Sequence, residues 1–220
     1  MTQSSEQLIE ATKTFAKETL SDAEGGHDWF HTQRVYRLAH RLAKEEKADE
    51  IVVQLAALLH DIADAKFHNG DETIGPKIAA RFLAEKQVDK AIITHVCDII
   101  CYMSFKNSLD GKSPLDSNEL RVVQDADRLD AIGAIGIART FNYGGFKNRS
   151  MYDPDIPPKL NMNKAEYKKS NAPTINHFYE KLLLLKDQMH TATAKKIAAK
   201  RHDYMLSFLD QFYAEWDSKD

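Results

Sequence analysis

The apolar residues of this chain recur at helical spacing along most of its length, which restricts the fold more than any other feature. Val35, Leu38, Ala39 and Leu42 fall on i, i+3, i+4, i+7 positions or close to them, as do Leu55, Leu58, Leu59 and Ile62. Ile92, Val96, Ile99, Ile100 and Met103 continue the pattern. Phe178, Leu182, Leu185 and Met189, and then Met205, Phe208, Leu209 and Phe212, predict two more amphipathic helices at the C-terminal end. No segment alternates apolar and polar residues as a half-buried strand does. The pattern predicts an all-α fold, a single compact bundle of eight or nine helices.

Start signals agree with this reading. Ser4 and Gln7 have the spacing of a capping box, Pro76 and Pro173 lie near first turns, and Asp116-Ser117-Asn118-Glu119 precedes another helix. Two stretches break the periodicity: Phe105 to Pro114, and a longer one from about 144 to 173 that holds Gly144-Gly145, Pro154, Pro157 and Pro158. The second exceeds the usual length of an unstructured connection, which marks it as an irregular loop or lid. No repeat or composition break divides residues 1–220, so one domain is expected.

With 43% hydrophobic residues, a 220-residue chain has enough apolar mass to close a core. The net charge of −3, with 30 basic residues scattered among 33 acidic ones, excludes a disordered polyanion and the basic stripe of a nucleic-acid binder. Lys195-Lys196 to Lys200-Arg201 reads as the solvated face of the last helix. Cys97 and Cys101, four apart on one predicted helix, are badly placed for a disulfide and too few for a thiolate zinc site. The start Met-Thr-Gln-Ser-Ser has no export pattern, and no apolar run approaches membrane-spanning length. The expectation is a cytoplasmic protein that engages no membrane.

The chemistry concentrates at Leu58-Leu59-His60-Asp61, where an apolar helix delivers an adjacent imidazole and carboxylate at its end. An ionised Asp there is costly unless something pairs it. Neighbouring residues on a helix point about 100° apart, yet an ion close to the helix surface can be reached by both side chains. The doublet alone decides little, because His27-Asp28 and His202-Asp203 repeat it. It gains weight from His31, which opens another amphipathic helix, and from the acidic segment Gln124-Asp125-Ala126-Asp127-Arg128-Leu129-Asp130 set among apolar positions.

The order His, His-Asp, Asp resembles the HD superfamily of metal-dependent phosphohydrolases. The phrases His27-Asp28-Trp29-Phe30-His31, Ala56-Ala57-Leu58-Leu59-His60-Asp61-Ile62 and Gln124 to Ala131 are similar to those of small stand-alone bacterial members that hydrolyse nucleotides. The resemblance implies an HD-domain-like bundle with His31, His60, Asp61 and Asp127 as metal ligands. Asp130 shares a helix face with Asp127 and stays a rival, as does Asp125, which points elsewhere. It also implies one divalent ion, manganese first, with magnesium, cobalt, nickel or iron as alternatives that mixed His and Asp ligation would accept.

Two imidazoles and two carboxylates nearly neutralise such an ion and leave positions open for water and a phosphate oxygen. Asp64, one turn after Asp61, is placed to handle the proton of the nucleophilic water or of the leaving group, with Glu72 as a second choice. Phosphoryl transfer needs cations, and Arg34, Lys66, Lys106 and Arg128 lie nearest the motifs. His27 reads as a substrate contact, while Tyr143, Lys147, Arg149, Tyr152 and Lys159 supply rings and cations from the long loop. His95 and His177 read as satisfied structural histidines. The expected ligand is a small nucleotide, and the expected reaction is release of pyrophosphate from a (deoxy)nucleoside triphosphate. The same ligands would serve a phosphomonoesterase or a cyclic-nucleotide phosphodiesterase. A helical interaction protein with a closed metal site is the reading from another class. A leftover apolar face would mark a homodimer contact.

Overall fold

A computed structural model describes residues 4–21, 28–63, 71, 73–103, 115–163, 166 and 170–219. Among these there are nine α-helices, one 3-10 helix and no strand. The all-α expectation holds. No described helix is long and apolar enough to cross a membrane.

The chain divides into two compact units, Met1–Ala126 and Asp127–Asp220. The first contains α1 (Ser5–Thr19), α2 (Trp29–Glu45), α3 (Glu50–Leu59), α4 (Ile74–Glu85), α5 (Lys90–Tyr102) and most of α6 (Asn118–Asp130). Side chains cap several of these helices, at α1 as the sequence anticipates. The Ser4–Gln7 capping box forms on α1, and Asp28 and Asp89 accept backbone N–H groups at the starts of α2 and α5. Asp49 caps α3, while its own N–H donates to Glu119 Oε1 (3.0 Å), tying α3 to α6. The stops were not legible. Lys47 and Gln87 take left-handed backbone (φ 55° and 59°) just beyond α2 and α4, a role that usually falls to glycine.

Helix α3 is the centre of this unit, packed by α1, α2 and α5, with α4 resting on α5. Val52, Val53 and Leu55 through Leu59 are all buried, so the C-terminal half of the helix is apolar on every side and His60 is the first polar side chain after it. Phe15 of α1 stacks on Phe82 of α4 at 4.2 Å. Cys97 and Cys101 are both free thiols on α5, and burial pushes the Cys97 thiol up, away from the reactive thiolate.

The second unit holds α7 (Gly133–Phe146), α8 (Asn176–Glu180), a 3-10 helix (Leu182–Gln188) and α9 (Ala192–Trp216). Helix α9 packs on α7 and on the 3-10 helix. Phe178, Leu182, Leu185 and Met189 are buried as predicted, but not on one α-helix. The backbone breaks at Lys181, and the following turn tightens to three residues per turn, which sets Leu182 and Leu185 on one face. Helix α7 runs through Gly144-Gly145 to Phe146, beyond the predicted break, and the bare Gly144 leaves room for Thr174, with which a side chain there would collide. The stretch that follows is tied back by its own bonds. Thr174 N and Oγ1 both donate to Ser150 O (2.9 and 3.1 Å), and Asn176 Nδ2 donates to Ile156 O (2.9 Å).

Candidate metal centre

His31 lies in the first turn of α2, where the Asp28 carboxylate accepts its backbone N–H at 2.9 Å. The doublet His27-Asp28 therefore contains a helix cap. His60 is the residue that ends α3, and its Nδ1 lies 2.9 Å from Ala57 O. A carbonyl can only accept, so Nδ1 carries the proton and Nε2 of the neutral ring presents its lone pair. The two rings meet edge to face at 5.3 Å.

Both rings converge on one oxygen. Asp61 Oδ2 is 3.4 Å from His31 Nε2 and 3.3 Å from His60 Nε2. Both imidazole side chains are buried, whereas the carboxylate is 23% exposed, so the cluster opens toward solvent at Asp61. Helix α6 adds Asp127: one ligand atom each from His31, His60 and Asp127 lies within 4.8 Å of the others.

The donor set fits a divalent cation. Ligand bonds of about 2.1 Å at angles between 90° and tetrahedral put neighbouring donor atoms about 3.0–3.4 Å apart. The Asp61–His31 and Asp61–His60 separations match that spacing. Imidazole nitrogen with carboxylate oxygen suits a first-row transition ion better than calcium.

The acidic residues along α6 have different surroundings. Asp130 is buried and forms a 2.8 Å ion pair with Arg139, while Asp125 is fully buried. Asp127 is the acidic residue of this segment that is grouped with the histidines.

The remaining sequence candidates fall in different places. Arg34 is half-buried, one turn after His31 on α2. Arg128 is buried and engaged, its Nη1 donating to Gln188 O (2.7 Å) and lying 2.9 Å from His190 Nε2. Tyr152 sits in an aromatic cluster with Phe212, Tyr213 and Trp216, and Lys159 reaches Glu166 at 2.9 Å. Asp64, Glu72, Lys66, Lys106 and His27 lie outside the described residues. His95 is held by Ser117 Oγ (3.0 Å) and Glu119 (3.7 Å), the structural role expected of it. Sequence reasoning missed Arg139 and Arg201, whose partners are visible only after folding.

Known proteins resemble this chain over nearly its whole length. The HD domain family model matches residues 29–132, a span that contains all four candidate ligands. A protein of Lactobacillus plantarum of known structure is 44% identical, with 97% of this chain and 98% of that chain covered and a TM-score of 0.83. An HD-superfamily hydrolase from Bacillus thuringiensis is also 44% identical, covering 97% of this chain and 99% of its own, with a TM-score of 0.76. The chain belongs to the HD superfamily. Bacillus subtilis YpgQ, solved in complex with ADP, is 34% identical over 98% of this chain and 97% of that one, with a TM-score of 0.77. Such neighbours support a hydrolase, and HD domains bind divalent metals.

Proposed function

We propose that this HD protein is a metal-dependent phosphohydrolase that converts a (deoxy)nucleoside triphosphate and water to the monophosphate and pyrophosphate. The observation that carries the reading is the convergence of His31, His60 and Asp61 on one point, with Asp127 grouped beside them. The ADP complex of YpgQ supports a nucleotide as the ligand class.

His31, His60, Asp61 and Asp127 would hold one divalent ion, manganese in the first instance. Such an ion supplies Lewis acidity toward a phosphoryl oxygen and brings the pKa of water toward neutrality. The protein's own part is orientation and charge. The Ala57 carbonyl fixes the His60 ring, the Asp28 cap fixes the turn that carries His31, and the two carboxylates balance a dication when both imidazoles are neutral. Arg34, one turn beyond His31 on α2, is assigned the phosphate contact on the strength of that spacing. Asp64 is assigned the proton-handling role on the strength of its spacing from Asp61.

The test uses metal-stripped protein reloaded with single divalent ions and offered a nucleotide panel, with products resolved. The expected product is pyrophosphate without orthophosphate. His60→Ala and Asp61→Ala should each abolish turnover and metal retention. Undiminished turnover in either variant sinks the mechanism, and orthophosphate as sole product moves the assignment to a phosphomonoesterase.

A further inference from the structure

The last turn of α6, which carries Asp127, is gripped by arginine contacts on several sides. Arg128 leaves the turn to reach Gln188 O and His190, and Arg139 of α7 pairs with Asp130 at 2.8 Å. The third contact comes from α9. Arg201 Nη1 donates to Leu129 O, a carbonyl at the helix end that also accepts Ile132 N at 3.2 Å. Terminal carbonyls have no donor from within their own helix, so whatever serves them sets how the last turn is wound and where it stops.

Arg201 is also committed along its stem. Gly133, which opens α7, has φ +77°, and a Cβ built there would stand 2.9 Å from Arg201 Cγ and 3.1 Å from its Cβ. The missing glycine side chain thus makes the space through which the arginine stem passes. The neighbouring basic residues Lys195, Lys196 and Lys200 are exposed, as the sequence predicted for the whole run, and Arg201 departs from them.

We propose that Arg201 is a positioning residue for the metal centre: its bond to Leu129 O fixes the terminal turn of α6 and thereby the aim of the Asp127 carboxylate. This rests on the metal-dependent reading above and adds to it a residue remote in sequence, 72 positions from its partner. The role differs from metal ligation, because the guanidinium is always cationic and acts through the backbone that bears the ligand.

The experiment titrates Mn2+ alone into the metal-stripped full chain and records, for each variant, the Kd and the rise in Tm that the ion produces. Arg201→Met keeps the stem packing and removes the donors. It should weaken Mn2+ binding by about tenfold or more, the usual cost of losing a group that orients a ligand. The Mn2+-induced rise in Tm should shrink accordingly. Arg201→Lys, which keeps a donor, should recover part of the affinity. Gly133→Ala, which pushes on the stem from the other side, should weaken binding in the same direction. A Kd within twofold of wild type in Arg201→Met overturns the proposal. So does a fall in Tm that is equal with and without Mn2+, which marks a purely structural residue. If Arg201→Met does not fold, Arg201→Lys and Gly133→Ala decide, and wild-type affinity in both overturns it. Wild-type protein that binds Mn2+ but hydrolyses no nucleotide refutes the nucleotide reading and leaves this one intact. Wild-type protein that binds no divalent ion refutes both.

Discussion

The C-terminal ends of α3 and α6 both deliver carboxylates, and they do so by opposite means. Helix α3 is apolar and buried over its last five residues, and its end is placed chiefly by packing. His60 is then oriented by a carbonyl of the same helix, three residues back. Helix α6 instead buries Gln124, Asp125, Arg128 and Asp130 and is held at its end by arginine contacts. The contrast shows that an end placed by apolar burial can be read from a short sequence window. An end placed by polar contacts depends on residues brought in from far along the chain.

That contrast can be broken by mutation, and the largest effect should come from the apolar end. Leu58 is fully buried, and Leu58→Ala should cost about 2–5 kcal/mol in urea unfolding, the range for a leucine cavity in a packed core. A loss below about 1 kcal/mol would show that packing does not hold α3 in place. At the polar end, Asp130→Asn leaves Arg139 partly buried without its counter-charge. The expected loss is about 1–3 kcal/mol, set below the fully buried range because Arg139 is 20% exposed. Mn2+ binding should survive in this variant. Loss of the metal with stability unchanged would return Asp130 to the ligand set in place of Asp127. Smaller still, Asp28→Ala removes the cap beneath His31 and should lower stability by about 1 kcal/mol, with Asp28→Asn nearly neutral.

A separate effect, read by pH, belongs to the second unit. His177, in the second, has its pKa lowered to about 3 by burial, with Lys181 and Arg149 adding repulsion. Its ring is therefore neutral in the fold, while the unfolded chain takes up a proton near pH 6.5. The stability due to the neutral ring is full above that value and declines as pH falls from 6.5 toward 3. Thermal unfolding of His177→Gln should show a shallower decline over the same window. An identical slope would remove His177 from the acid response.

The same division explains how much was legible beforehand. Helical periodicity gave the all-α class, and Leu58-Leu59-His60-Asp61 announced a site because a charge at the end of a buried apolar run requires a partner. Asp127 and Asp130 were inseparable by spacing, since both lie on one face of α6. Asp130 differs in the fold by its partner Arg139, nine residues on and in the next helix. The buried set Phe178, Leu182, Leu185 and Met189 was visible, but the 3-10 winding was not, because i, i+3 spacing suits both helix types. The stops at Lys47 and Gln87 were hidden because left-handed backbone there is carried by residues that seldom signal it.

The bond from the His60 ring to Ala57 O has one more consequence. Donor and acceptor belong to the same helix end, three residues apart, so the acceptor is in place once that turn is wound. The ring is thus locked in its receiving orientation by folding, and an arriving cation need not freeze a mobile side chain. The entropy of organising that ligand is lost during folding and not at loading, so this half of the centre should capture its ion tightly and release it slowly.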